Sequence, residues 1–257
     1  MLSTEWVPDG LPTSDLRLGA VMEDFGAIPL LRGLGHEHAE AFAKRCTWRT
    51  YEPSELIIDH HESSQDVRFI LSGLTRVVVR MAEGREVIFN DCGAGEFFGE
   101  LAAIDEGVRS ANVTAVTRAR LCIMPQQVFR EVCAVSPEIS WRVMNHLVAH
   151  IRRLSDRLSE FSFLKAKHRL FAELLRMSRD RPGHAAAGND PETGELQRII
   201  SPIPPQADIA DRISSRREIV SREMKALERA GILERTKGGI VILDPTRLRA
   251  MASEGWQ

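Results

Sequence analysis

The sequence predicts an α+β fold in three parts: an N-terminal β-roll of the double-stranded jelly-roll type, one long helix, and a C-terminal unit of short helices closed by a β-hairpin. Three observations predict it. Short β-rich runs punctuated by turn residues fill residues 47–123. A heptad-spaced apolar stripe runs from Met144 to Phe161. Two short amphipathic segments then precede a glycine-tipped alternating run near the C-terminus. The expected organisation is a flexible leader over 1–20, the β-roll over 21–135, the long helix over 136–164 and the C-terminal unit over 165–257.

Residues 1–20 carry Gly, Pro, Ser and Thr without periodicity, which predicts a poorly ordered leader. Helical spacing covers His36 to Cys46. Strands are expected over Thr47–Tyr51, Glu55–Ile58, Val67–Leu71, Thr75–Val79, Glu86–Asn90 and Ala111–Ile123. Helical sequence resumes near Pro125 and becomes long from Pro137. There Met144, Leu147, Ile151, Leu154, Leu158 and Phe161 are spaced 3, 4, 3, 4, 3. That alternation keeps one narrow apolar stripe on a single helix face, the geometry of a parallel dimer seam. A second helix reads from Ala166 to Met177, a loop from Pro182 to Leu196, and strand-like sequence from Arg198 to Ile203. Pro204 and Pro205 then suit the first turn of a new helix.

A hydrophobic fraction of 43% and a charged fraction of 27% describe a folded chain rather than a disordered one. A net charge of -2 argues against binding nucleic acid with the whole surface, yet basic residues cluster in the second half. Cys46, Cys92, Cys122 and Cys133 are scattered, without the spacing of a zinc ribbon or a redox pair. No apolar run approaches the ~18 residues of a membrane span, and no signal peptide is evident. These features predict a cytoplasmic protein with no membrane partner.

The segment from Phe97 to Ala111 carries the first candidate site. Gly99 allows close backbone approach, and Glu100–Ala103 suits one helical turn. Arg109, expected on the next strand, supplies a charged fork matched to phosphate oxygens, and Ser110 adds a hydroxyl. Glu100 fits if it accepts a hydrogen bond from a sugar hydroxyl while Arg109 balances the charge. This Gly-Glu-Leu-Ala turn followed by Arg-Ser-Ala resembles the phosphate-binding cassette of cyclic-nucleotide-binding domains. The resemblance covers about Thr47 to Gln126 and implies that Gly99, Glu100, Leu101 and Ala102 hold ribose and phosphate, with Arg109 and Ser110 on the cyclic phosphate. Val77, Val79 and Phe89 are candidate apolar walls. In bacterial cyclic AMP receptor proteins a Thr-Ser pair on the long helix reaches the base; Leu154 and Ser155 align there. Cyclic AMP is the favoured effector, with cyclic GMP, both nucleotides, or a ligand-independent or other-effector family member left open.

Between Gln206 and Glu228, apolar Ile209, Ala210, Ile213, Val220, Met224 and Leu227 fit two short helices joined at Ser214 and Ser215, with Ser215 capping the second. Arg217, Glu218, Ser221, Arg222 and Lys225 are left exposed near the N-terminal end of that helix. Arginine pairs bidentately with guanine, and glutamate accepts from cytosine N4. The pattern resembles the helix-turn-helix of the cyclic AMP receptor protein and fumarate–nitrate regulator family, in which residues corresponding to Arg217, Glu218 and Arg222 contact DNA. Ser214 replaces the glycine common in the turn. Gly231 to Leu243 reads as a hairpin with Lys237, Gly238 and Gly239 at its tip, the wing of a winged helix-turn-helix. The resemblance implies a homodimer on double-stranded promoter DNA, with RNA polymerase as a further partner.

His146 and His150 are four apart on one helix, but no third metal ligand is evident in the sequence, so no metal is expected. Paired strand histidines for an oxygenase and clustered cysteines for an iron–sulfur centre are absent. No nucleophile–base pair or acid pair suggests an enzyme.

Overall fold

The computed structural model describes residues 24–80, 86–186 and 195–256. The expected leader lies outside them, as does the middle of the expected 182–196 loop. The described chain divides into two compact units, residues 24–80 with 89–148 and residues 86–88 with 149–256, so one border falls within the long helix and another within the strand that begins at Glu86.

After helical residues at 24–27 and the 3-10 turn Pro29–Leu31, the first unit continues with helix α1 (His36–Ala43) and, among the described residues, eight strands: β1 (Thr47–Tyr51), β2 (Leu56–Ile58), β3 (Val67–Ser72), β4 (Leu74–Arg80), β5 (Glu86–Gly93), β6 (Phe97–Phe98), β7 (Asn112–Ala115) and β8 (Ala119–Met124). Between β6 and β7 lies the short helix α2 (Glu100–Asp105), and after β8 comes α3 (Gln126–Val135). The strands form two four-stranded sheets, ordered β1-β8-β3-β6 and β2-β7-β4-β5. Side chains alternate across each strand, so the first sheet serves two cores. Val67, Phe69, Cys122 and Met124 pack with Phe42, Val128, Phe129 and Val132 of the helices, whereas Ile70, Ala119 and Leu121 meet Ile57, Ile58 and Val113 of the second sheet. Burial drives the Cys92 thiol up to about 12, so this cysteine is a small apolar filler and not a nucleophile.

Two expectations for this unit need correction. The run Ala111–Ile123 is two strands in different sheets, with a turn at Val116–Arg118. That turn contains neither glycine nor proline; it is held from outside, by the Thr117 hydroxyl accepting from the Leu74 amide at 2.9 Å. The two-residue strand β6 was not expected.

The long helix α4 (Pro137–Phe163) is unbroken and is followed by α5 (Ala166–Met177), over the residues expected. Its N-terminal part packs into the first unit through Ile139 and Val143. The second unit holds α5, α6 (Gln206–Arg212), α7 (Arg217–Arg229), α8 (Pro245–Ser253) and the sheet β11-β12-β10-β9, built from β9 (Arg179–Ala185), β10 (Leu196–Ile200), β11 (Leu233–Thr236) and β12 (Gly239–Ile242). Residues 182–185, expected in a loop, belong to β9, because they find a partner in β10 that local composition does not reveal. The fold is thus a β-roll, a long helix and a winged helix-turn-helix.

Candidate ligand pocket and nucleic-acid interface

Gly99 has φ +88, a left-handed conformation that favours glycine, and a Cβ there would stand 2.7 Å from Arg109 Nη1 and 2.8 Å from the Asp66 carbonyl oxygen. The backbone approaches the arginine as closely as only a glycine permits. Arg109 is 2% exposed. Its Nη1 donates to the Gly99 carbonyl at 3.1 Å, and its Nη2 donates to the Ser64 hydroxyl at 2.8 Å and to the Asp66 carbonyl at 2.9 Å. Nε has no hydrogen-bond partner. Arg109 lies in the segment before β7 and not on a strand, a correction to the sequence expectation.

Sequence reasoning missed Arg68 and Ser64. Arg68 sits on β3 with its side chain on the face of Ile70, toward the interior between the sheets. Only Nη2 is engaged, with Glu62 at 2.9 Å, while Nε and Nη1 have no partner. Burial lowers the proton affinity of Arg109, and the Arg68 charge lowers it further. Two like charges are therefore held side by side in a poorly solvated place. A signal for Arg68 existed: a lone arginine between Val67 and Phe69-Ile70 in an apolar strand.

Glu100 is 4% exposed on the first turn of α2. Burial pushes its carboxyl above the usual carboxylate range, against its own backbone amide and the Arg109 charge, which hold it down. Ala102 is buried, while Leu101 and Ser110 are exposed. Gly99, Glu100 and Arg109 are brought together at the start of α2, with Ala102 buried beside them, while Leu101 and Ser110 are open to solvent. Val77 is half-buried against the inter-sheet core, Val79 is half-buried, and Phe89 is exposed on β5. Leu154 and Ser155 are exposed on α4.

The expected seam residues all lie on α4. Met144, Ile151, Leu154, Leu158 and Phe161 are 38–69% exposed, and Leu147 is half-buried. An apolar stripe of this size on one helix is a surface that water solvates poorly.

In the second unit the six apolar residues of the helix pair are all buried. Arg217, Glu218, Arg222 and Lys225 are exposed, and Ser221 is half-buried. Arg222 leans on Glu223 at 2.9 Å. Ser214 has φ +45, so the turn does need the left-handed conformation that glycine adopts more easily. The expected Ser215 cap is corrected: Arg216 is the N-cap residue of α7, without a side-chain cap, and the Ser215 amide closes the turn on the Ala210 carbonyl at 2.9 Å. Lys237 and Gly238 form the exposed tip of the wing, and Gly239 already pairs with Thr236.

The family model described as the cyclic nucleotide-binding domain matches residues 48–136, and the one described as the Crp-like helix-turn-helix domain matches residues 142–251. The chain belongs to the CRP/FNR family. It is similar to the cAMP-activated global transcriptional regulator CRP of Salmonella typhimurium, at 24% identity over 81% of this chain and 94% of that protein. It is also similar to the CRP-like cAMP-activated global transcriptional regulator of Mycobacterium tuberculosis, at 27% identity over 74% of this chain and 81% of that protein. Among solved structures, a CooA mutant from Carboxydothermus hydrogenoformans shares the fold, with a TM-score of 0.67 and 18% identity over 82% of this chain and 89% of that one. This CRP/FNR member is thus a transcription regulator with a cyclic-nucleotide-binding domain and a helix-turn-helix DNA-binding domain. Among the described residues, no helix is long and apolar enough to cross a membrane.

Proposed function

We propose that the protein is a cytoplasmic homodimer that binds palindromic promoter DNA in response to cyclic AMP. The observation that carries this reading is the Arg109–Arg68 pair, two buried guanidinium groups with three nitrogens lacking hydrogen-bond partners. Two buried guanidinium groups that share one ion-paired carboxylate, Glu62, and keep unmet donors are costly, and a phosphodiester supplies both the missing charge and the acceptors. The names of the Salmonella and Mycobacterium relatives support cyclic AMP as that ligand.

Gly99, Arg109 and Ser110 hold the cyclic phosphate; Glu100, Leu101 and Ala102 hold the ribose; Val77, Phe89, Leu154 and Ser155 meet the base. Leu154 carries no hydroxyl, which favours a second reading in which cyclic GMP also serves. The apolar stripe of α4 pairs with the same stripe of a second copy. Arg217, Glu218, Ser221, Arg222 and Lys225 read the major groove, while Ser215 and Lys237 contact phosphates, and RNA polymerase is the partner downstream. Ligand favours the conformer whose two recognition helices stand one DNA turn apart, ~34 Å, so ligand and DNA strengthen each other's binding reciprocally.

Calorimetric titration with cyclic AMP and cyclic GMP tests the ligand, and operator binding with and without nucleotide tests the coupling. Arg109→Ala is expected to abolish the nucleotide response while leaving the fold. Equal DNA affinity with and without saturating nucleotide sinks the reading. Arg222→Ala is expected to cost ~1–3 kcal/mol at one base position; uniform weakening over all operator sequences would remove Arg222 from the base readers.

A further inference from the structure

The helix α2 that carries Glu100 spans only Glu100–Asp105, and a helix this short does not hold itself together. Its last turn leaves carbonyls without partners inside the helix. It also ends on strain. Glu106, the C-cap residue, has φ +61, a left-handed conformation that a residue with a Cβ adopts at a cost and keeps only where its surroundings impose it.

The side chains that impose it come chiefly from α3. Arg130 donates from Nε to the Ala103 carbonyl at 3.0 Å, from Nη2 to the Ile104 carbonyl at 3.0 Å and from Nη1 to the Glu106 carboxylate at 2.7 Å. Gln126, one turn earlier on α3, donates from Nε2 to the same Ala103 carbonyl at 3.1 Å, so both lone pairs of that oxygen are taken. Gln65, in the segment before β3, donates from Nε2 to the Glu106 carbonyl at 3.0 Å. The start of α2 is gripped separately, by Arg109 through the Gly99 carbonyl. The helix is therefore held at its start by one guanidinium and at its end by another, and every residue involved belongs to the first unit.

We propose that Arg130 is a positioning residue for nucleotide recognition: its grip on the last turn of α2 sets the Glu100 carboxylate where a ribose hydroxyl meets it. The proposal rests on the nucleotide reading, in which Glu100 takes the ribose. Arg109 is the group that a phosphodiester engages, so the bond at the start of α2 is open to rearrangement when ligand enters. The bonds from Arg130 lie at the opposite end and hold Glu100 whatever Arg109 does. A planar fork spans two carbonyls and a carboxylate at once, which a single ammonium does not.

The test uses the full-length protein and two probes, cyclic AMP and 2′-deoxy cyclic AMP, which lacks the hydroxyl assigned to Glu100. Arg130→Met removes the fork and keeps the apolar stem. It should weaken cyclic AMP about fivefold, the size of one net hydrogen bond, and 2′-deoxy cyclic AMP by less than about twofold. A merely structural loss would lower both affinities alike. Arg130→Lys, which keeps the charge without the fork, should show the same selective loss at smaller size. Glu106→Gln gives up only an exposed ion pair and leaves the carbonyl bonds in place, so it should weaken cyclic AMP by less than about twofold. Amide hydrogen exchange over residues 100–106, read without nucleotide, should quicken in Arg130→Met and not in Glu106→Gln, with circular dichroism reporting that each variant is folded. Wild-type affinity for cyclic AMP in Arg130→Met, equal losses for the two nucleotides, unchanged exchange, or a Glu106→Gln loss as large as that of Arg130→Met overturns the proposal. Failure of the wild-type protein to bind either nucleotide instead sinks the nucleotide reading, and the exchange measurement then decides by itself whether Arg130 holds α2.

Discussion

Each unit of this regulator buries arginine, and the two units treat the buried charge in opposite ways. In the second unit Glu173, 1% exposed on α5, gathers Arg157 at 3.2 Å, Arg212 at 3.6 Å and Arg176. These arginines come from α4, α6 and α5, so one carboxylate ties the end of the long helix to the first helix of the helix-turn-helix. In the first unit, among the described residues, Arg109 makes no ion pair and leans on two carbonyls and a hydroxyl. The charge that is answered from within holds structure together. The charge left without an ion pair is the one the proposed phosphodiester would answer.

The largest expected effect breaks the second unit's arrangement. Glu173→Ala strands guanidinium groups in a buried place, and removing one partner of a buried ion pair costs about 3–5 kcal/mol. The measurement is the midpoint and slope of denaturant unfolding. A cost below about 1 kcal/mol would mean that Glu173 is not the anchor, and the contrast between the units would fail.

The next effect sharpens the first unit's side. Arg68→Met keeps the length and apolar stem of the side chain while removing the charge beside Arg109. The free protein should change by less than about 1.5 kcal/mol, because a guanidinium with two unpartnered nitrogens contributes little to its own fold. Cyclic AMP affinity should fall about tenfold, which is 1.4 kcal/mol, when read by calorimetry. Unchanged affinity would remove Arg68 from the phosphate site.

This contrast also explains what the sequence could and could not reveal. Gly99, Glu100 and Arg109 lie within eleven residues and are joined by a local turn, so their assembly is legible. Arg68 lies 41 residues before Arg109 and reaches it through the pairing of sheets; only its oddity inside an apolar strand betrays it. Glu173 is legible in the same negative way, a charge between Phe171 and Leu174 on the buried face of α5. Seam and helix-pair residues are readable because helical periodicity is local. The break between β7 and β8 is not, since Thr117 makes its turn by bonding a strand distant in the chain.

The smallest effect concerns Glu62, which holds Arg68 while no ligand does. Burial raises its carboxyl, but the Ser64 hydroxyl, Arg68 and the Asp59 amide together bring it below the ordinary value near 4.5. A carboxyl depressed on folding contributes stability above its unfolded value and loses it as the pH falls through the folded one. Acidification through and below pH 4.5 should therefore weaken the free protein slightly, and Glu62→Gln should flatten that part of the stability profile. Ligand affinity moves the other way. Protonating Glu62 releases Arg68 to the phosphodiester, so Glu62→Gln should bind cyclic AMP a few-fold more tightly near neutral pH, by roughly the strength of one exposed ion pair. Tighter binding together with a flatter acid profile would mark Glu62 as a stand-in for the ligand. Weaker binding would mean that Glu62 orients Arg68 toward the phosphate, and the unanswered charge of the first unit would then be Arg109 alone.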